Sequence, residues 1–299
     1  MDGQPAWKRW LRKWRGWLLL AAGLAATYAF REWRRNSHEA DIREARAAGF
    51  VWEEGGNPYD AIREDWRATF RKETWTGSYR VLDLGELPDL TPYRSLIHRL
   101  RPTYLSVRGS NNVDAIEGLT SLEELSLYDY RGLQSVDGLK ELTALERLGL
   151  SFCPGLQSVD GLKGLTSLEE LHLHDCPGLQ SVDGLKGLTS LQELRLDGCP
   201  GLQSVDGIKG LTSLQELRLD GCRGLQSVDG LKGLTALQTL YLYDCRGLQN
   251  VDALKGLTAL KDLFLNGSTG IPAAALRELA VALPKTRITF PDGSQSPPP

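Results

Sequence analysis

The feature that most constrains the fold of this chain is a repeat of 23 residues. Six nearly identical units follow one another from Leu119 to Gly256, and a seventh unit, which starts at Leu257, keeps only the first half of the pattern. A fixed period of about 20 to 29 residues with a regular apolar skeleton is typical of stacked coils, which bury their apolar faces against each other. The sequence therefore predicts one long solenoid domain, and a solenoid presents an extended surface for binding.

Each unit combines a short strand with a tightly wound return. The Leu-x-Leu pattern, as in Leu171 and Leu173, has the period of two that points both leucines to one side of a strand. The other apolar positions recur at every third residue, which favours a compact return over a long helix, and Pro-Gly pairs such as Pro177-Gly178 predict turns after the strand. Successive strands are then expected about 4.8 Å apart in a parallel sheet.

These units resemble leucine-rich repeats, and the resemblance covers roughly residues 96–283. It implies an α/β-type solenoid: an arc with a parallel sheet on its concave face, turns and short irregular segments on its convex face, and helical caps at both ends. The details are similar to bacterial variants that carry cysteine where many relatives have asparagine. In that family the concave face usually binds a protein, so the resemblance implies a non-catalytic interaction module without naming its partner.

One column of the repeat holds all five cysteines of the chain. We interpret them as buried, unpaired structural thiols, because the position points inward and free cysteine packs as a small apolar side chain. Disulfides between adjacent coils stay open as the alternative, whereas a linear ladder without a Cys-x-x-Cys pair is a poor zinc site. The members of the column are Cys153, Cys176, Cys199, Cys222 and Cys245.

Two charged columns occupy the return of each unit. An aspartate, as in Asp160, is expected to accept backbone N–H groups at the turn. The lysine three residues later, as in Lys163, is expected to be solvated and partly neutralised by neighbouring carboxylates. The aspartates are Asp137, Asp160, Asp183, Asp206, Asp229 and Asp252.

The outward strand positions are where the repeats of this chain differ from one another. Alternation along the strand places these side chains together on the exposed sheet face, and aromatic and arginine side chains are the usual anchors of protein interfaces. The alternative is that the charged stripes only neutralise one another across coils, in which case the solenoid is a passive structural spacer at the cell envelope. The predicted binding residues are Tyr128, Arg147, His172, His174, Arg195, Asp197, Arg218, Asp220, Tyr241, Tyr243 and Phe264.

Other classes of function find little support in the sequence. His172 and His174 share one strand face, but a two-histidine metal site lacks an obvious third ligand beyond Glu170 or Asp197, so neither a metal nor a cofactor is expected. The glycines belong to repeat turns and not to a phosphate-binding loop, and no Ser/His/Asp arrangement indicates an enzyme. The formal net charge of -3 argues against a nucleic-acid partner.

The N-terminal segment predicts attachment to a membrane. Residues 1–16 form a basic amphipathic segment with tryptophans on one helical face and Lys/Arg on the opposite arc, a pattern typical of membrane interfaces. A transmembrane or signal-anchor helix is predicted at 17–33; the uncharged run Trp17–Phe30 covers only about 21 Å, but tryptophans and snorkelling arginines at both ends extend it. The anchor residues are Trp14, Trp17, Leu18, Leu19, Leu20, Leu24, Tyr28, Phe30 and Trp33.

Alternatives to a retained anchor are a cleaved signal peptide and a helix that lies in the interface. Positive charges are nearly balanced on the two sides of the apolar run, so the positive-inside rule decides little. We expect a single-pass membrane protein that contacts lipid through its N-terminal segment, with the short basic tail in the cytoplasm and the repeats outside it.

Both ends of the repeat array, residues 81–270, require covers, because an open stack exposes core and strand edge. Residues 37–80 are predicted as a helical juxtamembrane segment and N-terminal cap, with one helix over 37–48 and a second that begins at Asn57-Pro58. Residues 271–290 are predicted as a C-terminal cap with a helix over Ile271–Leu283 and a strand over Lys285–Phe290, followed by a disordered tail at 291–299.

Overall fold

The computed structural model describes residues 39–40, 42–44, 46–47, 51–54 and 80–296. The described residues between 39 and 47 are helical. The predicted membrane anchor at 17–33, the second helix from Asn57 and the last three residues of the tail lie outside the described part. Among the residues described, no helix combines the length and apolar character that crossing a bilayer requires.

Eleven strands form one sheet in which the strands lie side by side in chain order. β1 (Val51–Glu54) pairs antiparallel with β2 (Arg80–Glu86), and every later neighbour is parallel. The solenoid with a parallel sheet that the 23-residue period predicts is therefore confirmed. The remaining strands are β3 (Tyr104–Arg108), β4 (Glu124–Tyr128), β5 (Arg147–Ser151), β6 (Glu170–His172), β7 (Glu193–Arg195), β8 (Glu216–Arg218), β9 (Thr239–Tyr241), β10 (Asp262–Phe264) and β11 (Arg287–Thr289).

Each full repeat returns through a short 3-10 helix that begins at the repeat aspartate. The expected role of that aspartate is wrong: the residue two positions earlier, a serine in five of the six full repeats and Asn250 in the last, accepts its N–H, as Ser158 Oγ does from Asp160 at 3.1 Å. The Asp160 carboxylate is exposed and binds Lys163 at 2.7 Å. The serine side chain lies inside the turn and the aspartate side chain outside it. The 3-10 helices of the repeats are Asp114–Ile116, Asp137–Leu139, Asp160–Leu162, Asp183–Leu185, Asp206–Ile208, Asp229–Leu231 and Asp252–Gly256.

The core is a stack of apolar columns, one residue of each column per coil. The strand leucines and the leucines and valines of the return are buried throughout the repeats. All five cysteines are buried and free, as expected. Four of them also donate from Sγ to the carbonyl oxygen of a strand leucine 26 residues earlier, at 3.1 to 3.3 Å, as Cys199 does to Leu173 and Cys222 to Leu196. The column is thus a hydrogen-bonded seam between coils as well as an apolar filler.

The N-terminal end of the array differs from the expectation. Residues 37–80 were predicted as helical, but β1 lies within this range and occupies the outer edge of β2 by main-chain pairing, which satisfies edge N–H and C=O groups that a helix leaves open. Helix α1 (Arg94–Leu100), which the sequence pattern did not predict, follows β2 and buries Leu96 and Ile97 in the first coil.

The C-terminal end agrees with the predicted secondary structure up to residue 290. Helix α2 (Ala273–Ala282) and strand β11 fall inside the predicted ranges. The tail prediction is wrong for residues 291–296, because Ser296 donates its backbone N–H to Ile288 O at 2.8 Å and accepts the Ile288 N–H at Oγ, 2.9 Å away. A turn stabilised by Asp292 folds this segment back along β11.

Glycine at the second position of the 3-10 helix permits close contact between coils. A Cβ atom added at Gly184 would lie 2.0 Å from the carbonyl oxygen of Val159 in the preceding coil. We expect Gly184→Ala to lower the free energy of unfolding by about 1 to 3 kcal/mol, because one coil must move away from the next. Urea denaturation followed by circular dichroism measures this change.

Gly256→Ala is the matched control, since a Cβ atom at Gly256 would meet no atom within 4 Å. Equal stability of the two variants would show that the coils do not depend on this contact.

Candidate functional site

Parallel pairing in register aligns the variable positions of the repeats into rows across the sheet. The sheet face is defined here by the side chains at the first, third and fifth strand positions, such as Glu124, Ser126 and Tyr128. The pairing brings together the third residues of strands β3 to β10. In order across the sheet, they are Ser106, Ser126, Gly149, His172, Arg195, Arg218, Tyr241 and Phe264.

Much of the N-terminal half of this face is buried, contrary to the prediction that its side chains are exposed, while Tyr128 and His174 are half-buried. Arg147 is 4% exposed and His172 is 1% exposed, so neither is available to a partner in this state. Alternation along a strand determines which face a side chain points to, but it does not determine whether water reaches that face. Other buried members of the face include Ser106, Glu124, Ser126, Ser151 and Glu193.

The buried half contains two ion-pair networks on neighbouring strands. The Arg147 guanidinium pairs with Glu124 and lies 3.6 Å from Glu170. On the next strands, Glu193 Oε1 forms an ion pair with Arg195 Nη2 at 2.7 Å and lies 3.3 Å from His172 Nε2. Buried charges persist only when they are paired, so these contacts account for charged residues inside this half of the sheet.

The pKa values in these networks follow burial and pairing. Burial raises the pKa of Glu124 to about 8 even though Arg147 lies against it. Burial also lowers the pKa of His172, which favours the neutral imidazole. For Glu193, burial alone would raise the pKa, but hydrogen bonding to His172 and the charge of Arg195 outweigh it and lower the pKa to about 2.

One grouping of metal-ligand side chains occurs among the described residues. Ligand atoms of Glu170, His172 and Glu193 lie within 4.8 Å of one another. His174, which the sequence analysis considered as a second ligand, instead shares a 3.1 Å hydrogen bond with Ser151. Because arginines already lie against both carboxylates, the grouping is an ion-pair network in which a metal would have to displace an arginine.

An N-terminal aromatic cluster lies at the carboxyl ends of β4 and β5. Tyr128 and Phe152 have ring centroids 4.9 Å apart, and His174 meets the Phe152 ring edge-on at 5.6 Å. The Arg108 guanidinium lies 5.0 Å from the centre of the Tyr128 ring. Two of these residues, Tyr128 and His174, belong to the predicted binding face.

Phe152 is the residue that the sequence analysis missed. It occupies a left-handed backbone position with φ of 57° that follows the strand in each coil, where other coils have Asp175 (φ 54°) or Gly198 (φ 70°). A bulky residue in this conformation is rare and strained, and the Phe152 side chain is 39% exposed beside a shallow groove of about 500 Å³ that Asp175 and Pro177 also line. The equivalent position holds Asp or Gly in the other coils, and this preference was the sequence signal for a left-handed conformation at Phe152.

A C-terminal aromatic cluster unites three predicted binding residues. Tyr241 and Phe264 stack with centroids 4.8 Å apart and planes 11° apart, and Tyr243 lies 5.6 Å from Phe264. The Arg218 guanidinium lies 4.3 Å from the centre of the Tyr241 ring while its Nε donates to Glu216 at 3.0 Å. All three aromatic side chains are half-buried, so their rings keep a solvent-facing side.

Two aspartates of the predicted face lie between the clusters on adjacent coils. Asp220 accepts the Tyr243 N–H at Oδ1, 2.8 Å away. Burial first, and then the charge of neighbouring Asp197, raises the pKa of Asp220 to about 6, although the Tyr243 N–H and Arg218 act in the opposite direction. Near neutral pH, the ionisation of Asp220 therefore destabilises the folded state.

This cost makes a pH-dependent prediction. A carboxyl group whose pKa is raised by folding contributes no penalty below its unfolded pKa near 3.8, and the penalty is complete once the pH exceeds about 6. We expect Asp220→Asn, which keeps the acceptor for Tyr243, to raise the free energy of unfolding at pH 7.5 by about 1 kcal/mol after allowance for solvent screening. At pH 4 the two proteins should be nearly equally stable.

Urea denaturation at both pH values measures this difference, and Asp229→Asn on the exposed return is the control. A gain of equal size at pH 4 and pH 7.5 would contradict the assignment of the penalty to the Asp220 charge.

Comparison with known proteins concerns the repeats and the fold that they build. The family described as BspA type leucine-rich repeat region matches residues 106–201 and 150–272, in six copies. No curated protein sequence matches the chain.

Among solved structures, an internalin (inlF) of Listeria monocytogenes is similar at 17% identity and a TM-score of 0.48, covering 75% of this chain and 72% of the internalin. The Drosophila Toll–Spätzle complex contains a chain that is similar at 16% identity and a TM-score of 0.50, covering 64% of this chain and 28% of the other. The leucine-rich repeat domain of the type III effector XopL is similar at 23% identity and a TM-score of 0.43, covering 70% and 76%. At these identities the likeness concerns the fold alone.

Proposed function

Because the chain belongs to the BspA-type leucine-rich repeat family, whose fold is a common protein-interaction module, we propose that it binds a protein partner through its sheet face. The observation that carries this proposal is the C-terminal aromatic cluster of Tyr241, Tyr243 and Phe264, with Arg218 against it. Tyrosine and arginine dominate the binding energy of protein interfaces, because they combine a large contact area with polar groups.

The burial pattern divides the predicted binding residues into two groups with different roles. Arg147 and His172 are buried in ion-pair networks, so they support the sheet and do not touch a partner directly. The contact region that remains runs from the N-terminal aromatic cluster to the C-terminal one. The predicted residues that line it are Tyr128, His174, Arg195, Asp197, Arg218, Asp220, Tyr241, Tyr243 and Phe264.

A photocrosslinking experiment tests the proposal. We expect p-benzoylphenylalanine at Tyr243 in the full chain to form an adduct with a partner in the native cells, because this ring lies on the sheet face. The same label at Gln226, which is exposed on the return, is the matched control. In a second step, Tyr241→Ala combined with Tyr243→Ala should weaken capture of that partner about 30-fold, the effect expected for a loss of about 2 kcal/mol.

The pair Gln226→Ala and Gln249→Ala, also on exposed returns, should leave capture unchanged. Unchanged capture by a folded tyrosine variant, or equal adducts from both labelled positions, would favour a passive spacer.

We also propose that residues 17–33 attach the chain to a membrane as a single-pass anchor, preceded by the basic amphipathic segment 1–16 and with the repeats outside the cytoplasm. Four tryptophans and five Lys/Arg between residues 7 and 17 precede an uncharged run that ends at Phe30. Aromatic and basic residues that flank an apolar segment are typical of membrane anchors. A binding face held at the cell envelope would meet partners there.

Membrane fractionation and protease treatment test the anchor and its orientation. We expect the full chain in the membrane pellet, resistant to carbonate extraction, and the repeats digested in intact or outer-permeabilised cells. A variant with Leu18, Leu19 and Leu20 changed to serine should move to the soluble fraction, since it removes three apolar side chains from the predicted span. Protection of the repeats until lysis would reverse the orientation, and a soluble wild-type chain would remove the anchor.

A further inference from the structure

We propose that the partner segment that lies between the two aromatic clusters is cationic, and that its lysine or arginine side chains pair with Asp175, Asp197 and Asp220. This inference rests on the proposed function, because it assigns a chemistry to the ligand of the same face. It follows from how the carboxylates, the arginines and the aromatic rings are arranged across five successive coils, from β5 to β9.

The three aspartates form an acidic row with one carboxylate per coil, in which Asp175 occupies the left-handed position one residue after the position that Asp197 and Asp220 share. The Asp175 N–H donates to Asp197 O at 2.9 Å, and the Gly198 N–H donates to Asp220 O at 2.7 Å, so main-chain pairing holds the three coils side by side. Like charges on directly neighbouring strands repel each other. Burial is the main cause that raises the pKa of Asp175 and of Asp220, and the charge of Asp197 raises both pKa values further.

The arginines on the same strands form their ion pairs with glutamates and not with this row, and Arg218 acts on it only through its charge, which lowers the pKa of Asp220. Arg195 donates from Nε to Glu193 at 2.8 Å, and Arg218 pairs with Glu216 and covers the Tyr241 ring. Both guanidinium groups therefore lie towards the start of the strand, whereas the aspartates follow its end. Within residues 80–296, the ion pairs that the structure shows include none of the three aspartates.

One carboxylate oxygen of the row is both buried and without a hydrogen-bond donor in the described structure. Oδ1 of Asp197 has this environment, while Asp175 on the next coil is exposed beside the groove at Phe152. An acceptor that lacks a donor after burial is costly. A cationic side chain that enters between the two carboxylates would supply the missing donor and reduce the repulsion.

A peptide cation fits this row better than a metal ion. The three-donor grouping found among the described residues involves Glu170, His172 and Glu193 and not the acidic row. The row is also flanked by aromatic clusters, which suit apolar side chains of a polypeptide and not the ligand shell of an ion. The combination of apolar ends and an acidic centre therefore selects a peptide with the complementary pattern.

The spacing of the coils sets the length of that peptide. From β5, which precedes Phe152, to β9, which precedes Tyr243, there are four strand steps, or about 19 Å at about 4.8 Å per step. An extended peptide rises about 3.3 Å per residue, and alternate side chains point to the same side. Seven residues therefore span about 20 Å and place the first, third, fifth and seventh side chains towards the sheet face.

The peptide Trp-Ser-Lys-Ser-Lys-Ser-Trp, labelled with fluorescein, is the probe for this inference. Fluorescence anisotropy with the full chain measures its affinity, and the same peptide with Gln or Glu in place of both lysines measures the contribution of charge. We expect the lysine peptide to bind about tenfold or more tightly than the glutamine peptide and the glutamate peptide to bind most weakly, with the preference reduced at high salt.

Asp197→Asn combined with Asp220→Asn tests the assigned carboxylates, because asparagine keeps the shape and the acceptor oxygen. This pair should weaken binding of the lysine peptide about tenfold or more. The control, Asp206→Asn with Asp229→Asn, removes the same charge from exposed returns of the same repeats and should change affinity less than about twofold. Thermal unfolding by circular dichroism checks that both pairs are folded.

The outcomes separate this inference from the proposed function. Equal binding of the three peptides, equal loss in the two aspartate pairs, or no binding of the lysine peptide would overturn the cationic ligand. If binding then still depends on Tyr241 and Tyr243, or the crosslinked partner is still lost in the tyrosine variant, the sheet face remains the binding site and only its charge preference is wrong.

Discussion

The structure depends on the close, in-register contact between one coil and the next. Strand pairing aligns equivalent residues across the sheet, and the seam of cysteine thiols joins the coils at the end of each strand. Glycine in the 3-10 helix allows the same closeness on the return, where Gly184 meets Val159 O. Because each coil contacts only its neighbours, no distant contact compensates for the loss of one of these local contacts.

The regular fold was predictable because it repeats in the sequence itself. Period-two leucines, period-three apolar positions and a fixed unit length determine strand, return and stack, and the inward cysteines follow from their place in that pattern. The N-terminal end was less predictable, since α1 and β1 precede the regular 23-residue units that begin at Leu119. A segment that occurs only once in the chain cannot be compared with equivalent segments, so its secondary structure must be predicted from its own residues alone.

The sequence predicted which positions lie on the sheet face, but not which of their side chains are exposed to solvent and which are buried in ion pairs. Tyr241, Tyr243 and Phe264 form one cluster as their columns suggested, whereas Arg147 and His172 lie in buried networks. Side-chain alternation gives direction and not solvent exposure. Phe152 was not predicted as a binding residue, because alternation along the strand does not assign it to the sheet face. Its ring lies beside that face because the residue adopts a left-handed backbone conformation after the strand.

Because the units stack in a regular way, the distance between two points across the sheet is set by the number of repeats between them. Units that begin at Leu188 and Leu211 are nearly the same in sequence, so the gain or loss of one such unit by recombination would leave every local contact intact. It would nevertheless move the aromatic clusters apart or together by one strand spacing, about 4.8 Å. The number of copies between the clusters therefore sets the distance between them, and each of these two units also adds or removes one carboxylate, Asp197 or Asp220, so that the length and the charge of a matching ligand would change together.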